Sequence, residues 1–126
     1  MKNEEGKVKN ESLPIFKAAL DLTVYIDSIV KNQERYYKYS IGADMREYSK
    51  EMLFLIKRAN RAKGVHRVKY LELLVDKCED CKTMIVLAKE LKALKSFKQF
   101  EYSSKLAVNV CKQAQAWLLS SARISR

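Results

Sequence analysis

Apolar residues recur along this chain at gaps of three and four, the period of a helix with one buried face. Ser12 precedes Leu13-Pro14, an N-cap residue followed by an early-helix proline. From there Ile15, Ala19, Leu22, Ile26 and Ile29 form one stripe, and Phe16, Leu20 and Thr23 widen it. The polar stretch Lys31 to Glu34 ends this first helix. A second helix is predicted from about Arg35 to Ala62, with Ile41, Met45, Tyr48, Met52, Leu55, Ala59 and Ala62 as a heptad seam. Gly42 inside that pattern marks a close approach or a late helix start. Lys63-Gly64 breaks the chain. A third helix follows from about Val65 to Leu94, on a seam of Leu71, Leu74, Cys78, Cys81, Ile85 and Ala88. Ser96 caps a fourth, with Phe100, Ser104, Ala107, Cys111, Ala114 and Leu118 in a row and Trp117 one position off it.

No segment alternates with a period of two. Four amphipathic helices with short connections predict an all-α, antiparallel up-down four-helix bundle over residues 12–126, behind a flexible polar tail at 1–11. The middle helices, about 28 and 30 residues, would be about 40 to 45 Å long. Tyr36, Tyr37, Tyr39, Phe54, Val86 and Leu87 are not all on the seams, which suggests self-association.

Composition supports helices: 126 residues hold three Gly and one Pro. The longest apolar runs, such as Met52 to Ile56, fall far short of a membrane span. The polar opening MKNEEGKVKNES carries no signal-peptide pattern, so a bacterial-type cytoplasmic protein is expected.

Charge changes the picture most. The net charge is +10, the footprint of a nucleic-acid binder. Lys57, Arg58, Arg61, Lys63, Arg67 and Lys69, with His66 and no acid, surround the turn between helices two and three. Up-down topology brings Arg123 and Arg126 to the same end. Lys57, Arg58 and Arg61 suit the negative end of the helix-two dipole, but Lys63 to Lys69 open a helix, where cations are disfavoured. Phosphate contact explains them, and all are expected at the surface. The opposite end gathers Lys31, Arg35, Lys38, Lys92, Lys95 and Lys98, diluted by Glu34. Tyr36, Tyr37 and Tyr39 among these cations suit either base stacking or packing.

Motifs for catalysis are weak. Cys78-Glu79-Asp80-Cys81 spells C-x-x-C, but mid-helix, on an apolar seam, with only Cys111 and His66 to complete a zinc site. Three reduced core thiols fit better than metal, redox or disulfide chemistry. His66 is the sole histidine, so no His-based triad can be built. Asp44/Glu47/Glu51 and Glu72/Asp76/Asp80 lack the Glu-x-x-His partners of a di-metal bundle, and Arg46, Lys50 and Lys77 among them point to surface pairs. No phosphate-binding glycine loop occurs. A non-enzymatic chain with no cofactor and no metal is expected.

Several short motifs occur in a telling order. Glu34-Arg35-Tyr36, Ile41-Gly42 and Arg46 lie between helices one and two. Ala59-Asn60 closes helix two, Leu87-Ala88 and Leu91 lie in helix three, and Phe100 and Trp117 in helix four. From about Leu13 to Ser121 the chain thereby resembles the accessory variability determinant proteins of diversity-generating retroelements. It is similar, more distantly, to the four-helix proteins encoded in ribosomal-RNA intervening sequences. It departs from the first family at Asn32-Gln33, where proline is frequent, and at Ala116, where glycine is usual. The resemblance implies a basic homopentamer that associates with the element's reverse transcriptase and with nucleic acid, the template RNA in particular. It implies a supporting role in mutagenic copying of a template repeat. The alternatives are a bundle of the intervening-sequence kind and an oligomeric scaffold whose charge is incidental.

Overall fold

The structure is a computed structural model describing residues 9–124. A short 3-10 turn, Asn10–Ser12, leads into α1 (Pro14–Lys31). One helical turn, α2 (Arg35–Lys38), precedes α3 (Ile41–Arg61), α4 (Gly64–Glu90) and α5 (Phe97–Ile124). The long helices pack as a ring of neighbours, α1 on α3, α3 on α4, α4 on α5 and α5 on α1. With such short connections, each long helix runs antiparallel to both neighbours. The result is an all-α four-helix bundle. Among the described residues no helix is long and apolar enough to cross a membrane.

The α1 and α4 seams are buried as the spacing predicts. Leu22, Ile26, Met52, Leu71, Leu74 and Ile85 are fully enclosed, each stabilising by about 1.5–3 kcal/mol relative to exposure. In α3, Tyr48 and Ala62 are only half-buried, and Ile56 and Ser49 share the interior with the seam. In α5 the expected row shifts. Ser103, Val110 and Ser121 are buried, whereas Phe100, Ser104 and Leu118 are half-buried. Ser103 tolerates enclosure because its hydroxyl donates to the Gln99 and Phe100 carbonyls within its own helix.

Three helix limits differ from the sequence reading. The predicted second helix is split at Tyr39-Ser40: the Ser40 hydroxyl donates to Tyr36 O at 2.7 Å, and its backbone (φ −119°, ψ −103°) leaves the helical region. Gly42 explains the tight corner. A Cβ there would lie 2.8 Å from Tyr37 O and 2.8 Å from Val30 Cγ1, and would overlap Gln33 Oε1. The third helix stops at Glu90 rather than Leu94. Lys92 takes φ 63°, and Ala93 N–H reaches Ala88 O while Lys92 N–H reaches Lys89 O, a Schellman ending. At the start, Ser12 lies in the 3-10 turn and Leu13 takes the N-cap position without a side-chain bond, although Pro14 opens the helix as expected. Of the expected tail, residues 1–8 lie outside the described residues, and Asn10 is tied to α3 by a 3.1 Å bond from Asn60. Ser96 does cap α5: its hydroxyl accepts from Gln99 N–H, while the Gln99 side chain accepts from Lys95 N–H.

Candidate nucleic-acid interface

One end of the bundle holds the start of α1, the α3–α4 turn and the end of α5. Ala62 and Lys63 are extended and Gly64 has φ 58°, so the chain reverses between two long helices in very few residues. Lys57, Arg58, Arg61, Lys63 and Lys69 are exposed around this turn, and Arg123 is exposed on α5. Arg126 lies outside the described residues. Arg67 stacks over Trp117, 5.8 Å from the ring centroid. Arg123 lies six residues beyond Trp117, about 9 Å further along the helix and toward the same tip.

None of these exposed cations makes an ion pair among the described residues. The pairs that form lie elsewhere: Lys17–Asp21, Arg46–Asp27, Lys50–Glu47, Lys77–Glu51, Lys82–Glu79 and Lys89–Glu90. Unpaired cations at a helix C-terminus and the adjoining turn repel one another, and an anion between them relieves that repulsion.

Two members of the sequence cluster behave differently. Arg67 is not a free surface cation. It is half-buried, and its Nε and Nη2 donate to the Ala59 and Asn60 carbonyls at 2.9 and 3.0 Å. Those are orphan acceptors at the end of α3, so Arg67 closes that helix from the next one. This also explains a cation near the start of α4 without any ligand. Arg58 leans onto the flank, into a groove of about 450 Å³ lined by Phe54, Leu73, Asp76 and Asp80. Lys69 and His66 share a second flank groove with Glu72 and Asp76. The cluster is therefore free of acids along the sequence but not in space. Among the described residues, Lys57, Arg61, Lys63 and Arg123 remain as exposed cations that make no ion pair.

The core carries the thiols. Cys78, Cys81 and Cys111 are free and buried, and the Cys78 Sγ lies 3.3 Å from Met52 Sδ. The hydrogen bond with Cys111, then burial, raises the Cys78 thiol well above its ordinary range. Burial pushes Cys81 up to about 12. Cys78 and Cys81 are therefore held protonated at neutral pH, whereas the hydrogen bond with Cys78 lowers the Cys111 thiol. Among the described residues no group of three or more His, Cys, Asp or Glu is placed to hold a metal. The α3 acid row is partly used within the fold. Glu51 accepts from Lys77 at 2.6 Å, which holds the lysine above its ordinary pKa, and Lys77 also lies 4.4 Å from the Tyr48 ring centroid.

The opposite end separates the three tyrosines that the sequence leaves together. Tyr37 is half-buried and donates to Leu91 O at 2.8 Å, tying α2 to the α4–α5 connection. Gln33 Nε2 donates to Ala93 O across the same end. Tyr36 and Tyr39 point out to solvent. No family model, curated protein or solved structure significantly matches the chain.

Proposed function

We propose that this chain is a non-catalytic, nucleic-acid-binding accessory protein. The observation that carries the reading is the tip formed by Lys57, Arg61, Lys63 and Arg123, exposed cations with no ion-pair partner among the described residues. Cations on a turn and on helix ends contact phosphates rather than base edges, so binding at the tip is electrostatic and weakly sequence-dependent. The sequence resemblance extends the proposal to a diversity-generating retroelement. There the protein, as a homopentamer in the cytoplasm, would bind the element's reverse transcriptase and its template RNA or complementary DNA to support mutagenic retrohoming. The exposed Phe54, Leu73 and Val86 supply apolar surface for such assembly. Light scattering should then give a mass of about five chains.

The test of nucleic-acid binding is a charge reversal that spares Arg67. Lys57→Glu, Arg61→Glu and Lys63→Glu together should weaken RNA and DNA alike. The log–log salt slope should flatten by about 0.7 to 0.9 per lost contact. The control reverses Lys17, Lys50 and Lys82, which already face carboxylates. Equal weakening by both triples would show a diffuse field and refute the tip as the contact surface.

A further inference from the structure

The end of the bundle remote from the α3–α4 turn has a different surface chemistry. The three most exposed aromatic rings among the described residues are all there: Tyr36 at 76%, Tyr39 at 73% and Phe97 at 64%. The tip near the turn has no such ring, since Trp117 is half-buried beneath Arg67. Tyr36 is held edge-on by Tyr37, with ring centroids 5.2 Å apart. Tyr37 is fixed in turn by its bond to Leu91 O. The exposed platform is thus mounted on a rigid corner that Gly42 and Gln33 keep tight.

Tyr36 and Tyr39 line one groove of about 330 Å³ whose other wall is Met84, Leu87 and Leu91. Leu87 and Leu91 are themselves exposed. The groove is apolar and aromatic, with Asp44 as the one acid in its lining. Cations stand outside it. Arg35 and Lys38 share the turn with the tyrosines, and Lys92 follows Leu91 with its backbone turned out at φ 63°. None of the three makes an ion pair among the described residues. A ligand that fits is flat and uncharged where it enters the groove and anionic along its outer edge. Asp44 repels phosphate from the groove itself, and the cations outside it attract phosphate.

We infer that the Tyr36/Tyr39 groove takes unpaired nucleobases of a single-stranded nucleic acid, with Arg35, Lys38 and Lys92 on its phosphates. The inference rests on the proposed nucleic-acid role and deepens it. Phosphates of any strand engage the turn end, and exposed bases engage this one. A base pair cannot enter, because its flat faces are stacked and its edges are joined.

The test compares three probes on the full chain: oligothymidylate, an abasic oligodeoxynucleotide of equal length and charge, and a duplex. Wild-type protein should hold oligothymidylate at least about 10-fold more tightly than the abasic strand, about 1.4 kcal/mol. Tyr36→Ala with Tyr39→Ala should erase that preference and leave abasic and duplex affinity unchanged. Tyr36→Phe with Tyr39→Phe should keep it, since stacking needs the ring and not the hydroxyl. Equal wild-type affinity for the base-bearing and abasic strands overturns the inference while nucleic-acid binding stands. Failure to bind any of the three probes overturns both. An unchanged base preference in the alanine variant, with an altered oligomeric mass, assigns the rings to a protein interface and also overturns it.

Discussion

Replacing Gly42 with alanine sets two effects of opposite sign against each other. Gly42 occupies the first turn of α3, and its φ is not in the left-handed region. By helix propensity and unfolded-state entropy alone, Gly42→Ala should stabilise by up to about 1 kcal/mol. The surroundings decide otherwise. The new methyl would overlap Gln33 Oε1 and lie 2.8 Å from both Tyr37 O and Val30 Cγ1. Tyr37 O is backbone, and Val30 is fully buried in the core. Only Gln33 can move, and moving it breaks its bond to Ala93 O, which ties α1 to the α4–α5 connection. Overpacking of this kind costs about 1–3 kcal/mol and the lost hydrogen bond about 1 kcal/mol. After the propensity gain, the net loss is about 2 kcal/mol. With a urea m-value of about 1.5 kcal/mol/M the unfolding midpoint should fall by about 1.3 M. In a Gln33→Ala background the same change should cost about 1 kcal/mol less, a coupling read from the double-mutant cycle. If Gly42→Ala is as stable as wild type, or more so, propensity wins and the close approach at this corner is wrong.

Other residues make equally definite predictions. Arg67→Ala should destabilise by about 2 kcal/mol in urea melts, since two carbonyls of α3 and the Trp117 face lose their partner, whereas Arg61→Ala should stay within about 0.5 kcal/mol. Lys92→Gly should raise stability by about 0.5–1 kcal/mol by relieving a left-handed backbone, and Gly64→Ala should lower it by about 1 kcal/mol for the converse reason. Cys81 ionises at about 12 in the folded chain against an ordinary 9.0. Unfolded protein therefore sheds a proton that the folded state keeps, and stability falls as pH rises through that window. The fall from this thiol approaches 1.4 kcal/mol per pH unit, and Cys81→Ala should flatten it in melts run on both sides of pH 9.

The fold was largely legible because it rests on periodicity. Every α4 seam residue from Leu71 to Ala88 is buried, as the three-and-four spacing requires. What periodicity could not show is where polar groups override it. Ser103 rather than Ser104 faces the interior, where its hydroxyl is satisfied by its own helix backbone, and a hydropathy stripe cannot tell two adjacent serines apart. At Ser40 a side-chain bond to Tyr36 O likewise competes with the helix, although the three-and-four spacing runs on from Ile41, and Gly42 was the one local sign of a late start. Lys92 ends α4 in a left-handed conformation that sequence patterns assign to glycine.

The candidate site was legible only as a region, because a cation's role depends on what its donors meet. Arg67 and Lys63 read alike along the chain, four residues apart in a run without acids. In the structure one is spent on the Ala59 and Asn60 carbonyls, and the other is exposed, with no ion pair among the described residues. Nothing in the run distinguishes them, since the carbonyls that Arg67 serves belong to the preceding helix and come within reach only after the turn at Gly64. The same logic divides Tyr37 from Tyr36 and Tyr39, because the Leu91 carbonyl that holds Tyr37 is 54 residues away. Charge and aromatic content can therefore nominate the two ends of this bundle. The hydrogen bonds that occupy Arg67 and Tyr37 then leave the remaining cations and rings available to a ligand.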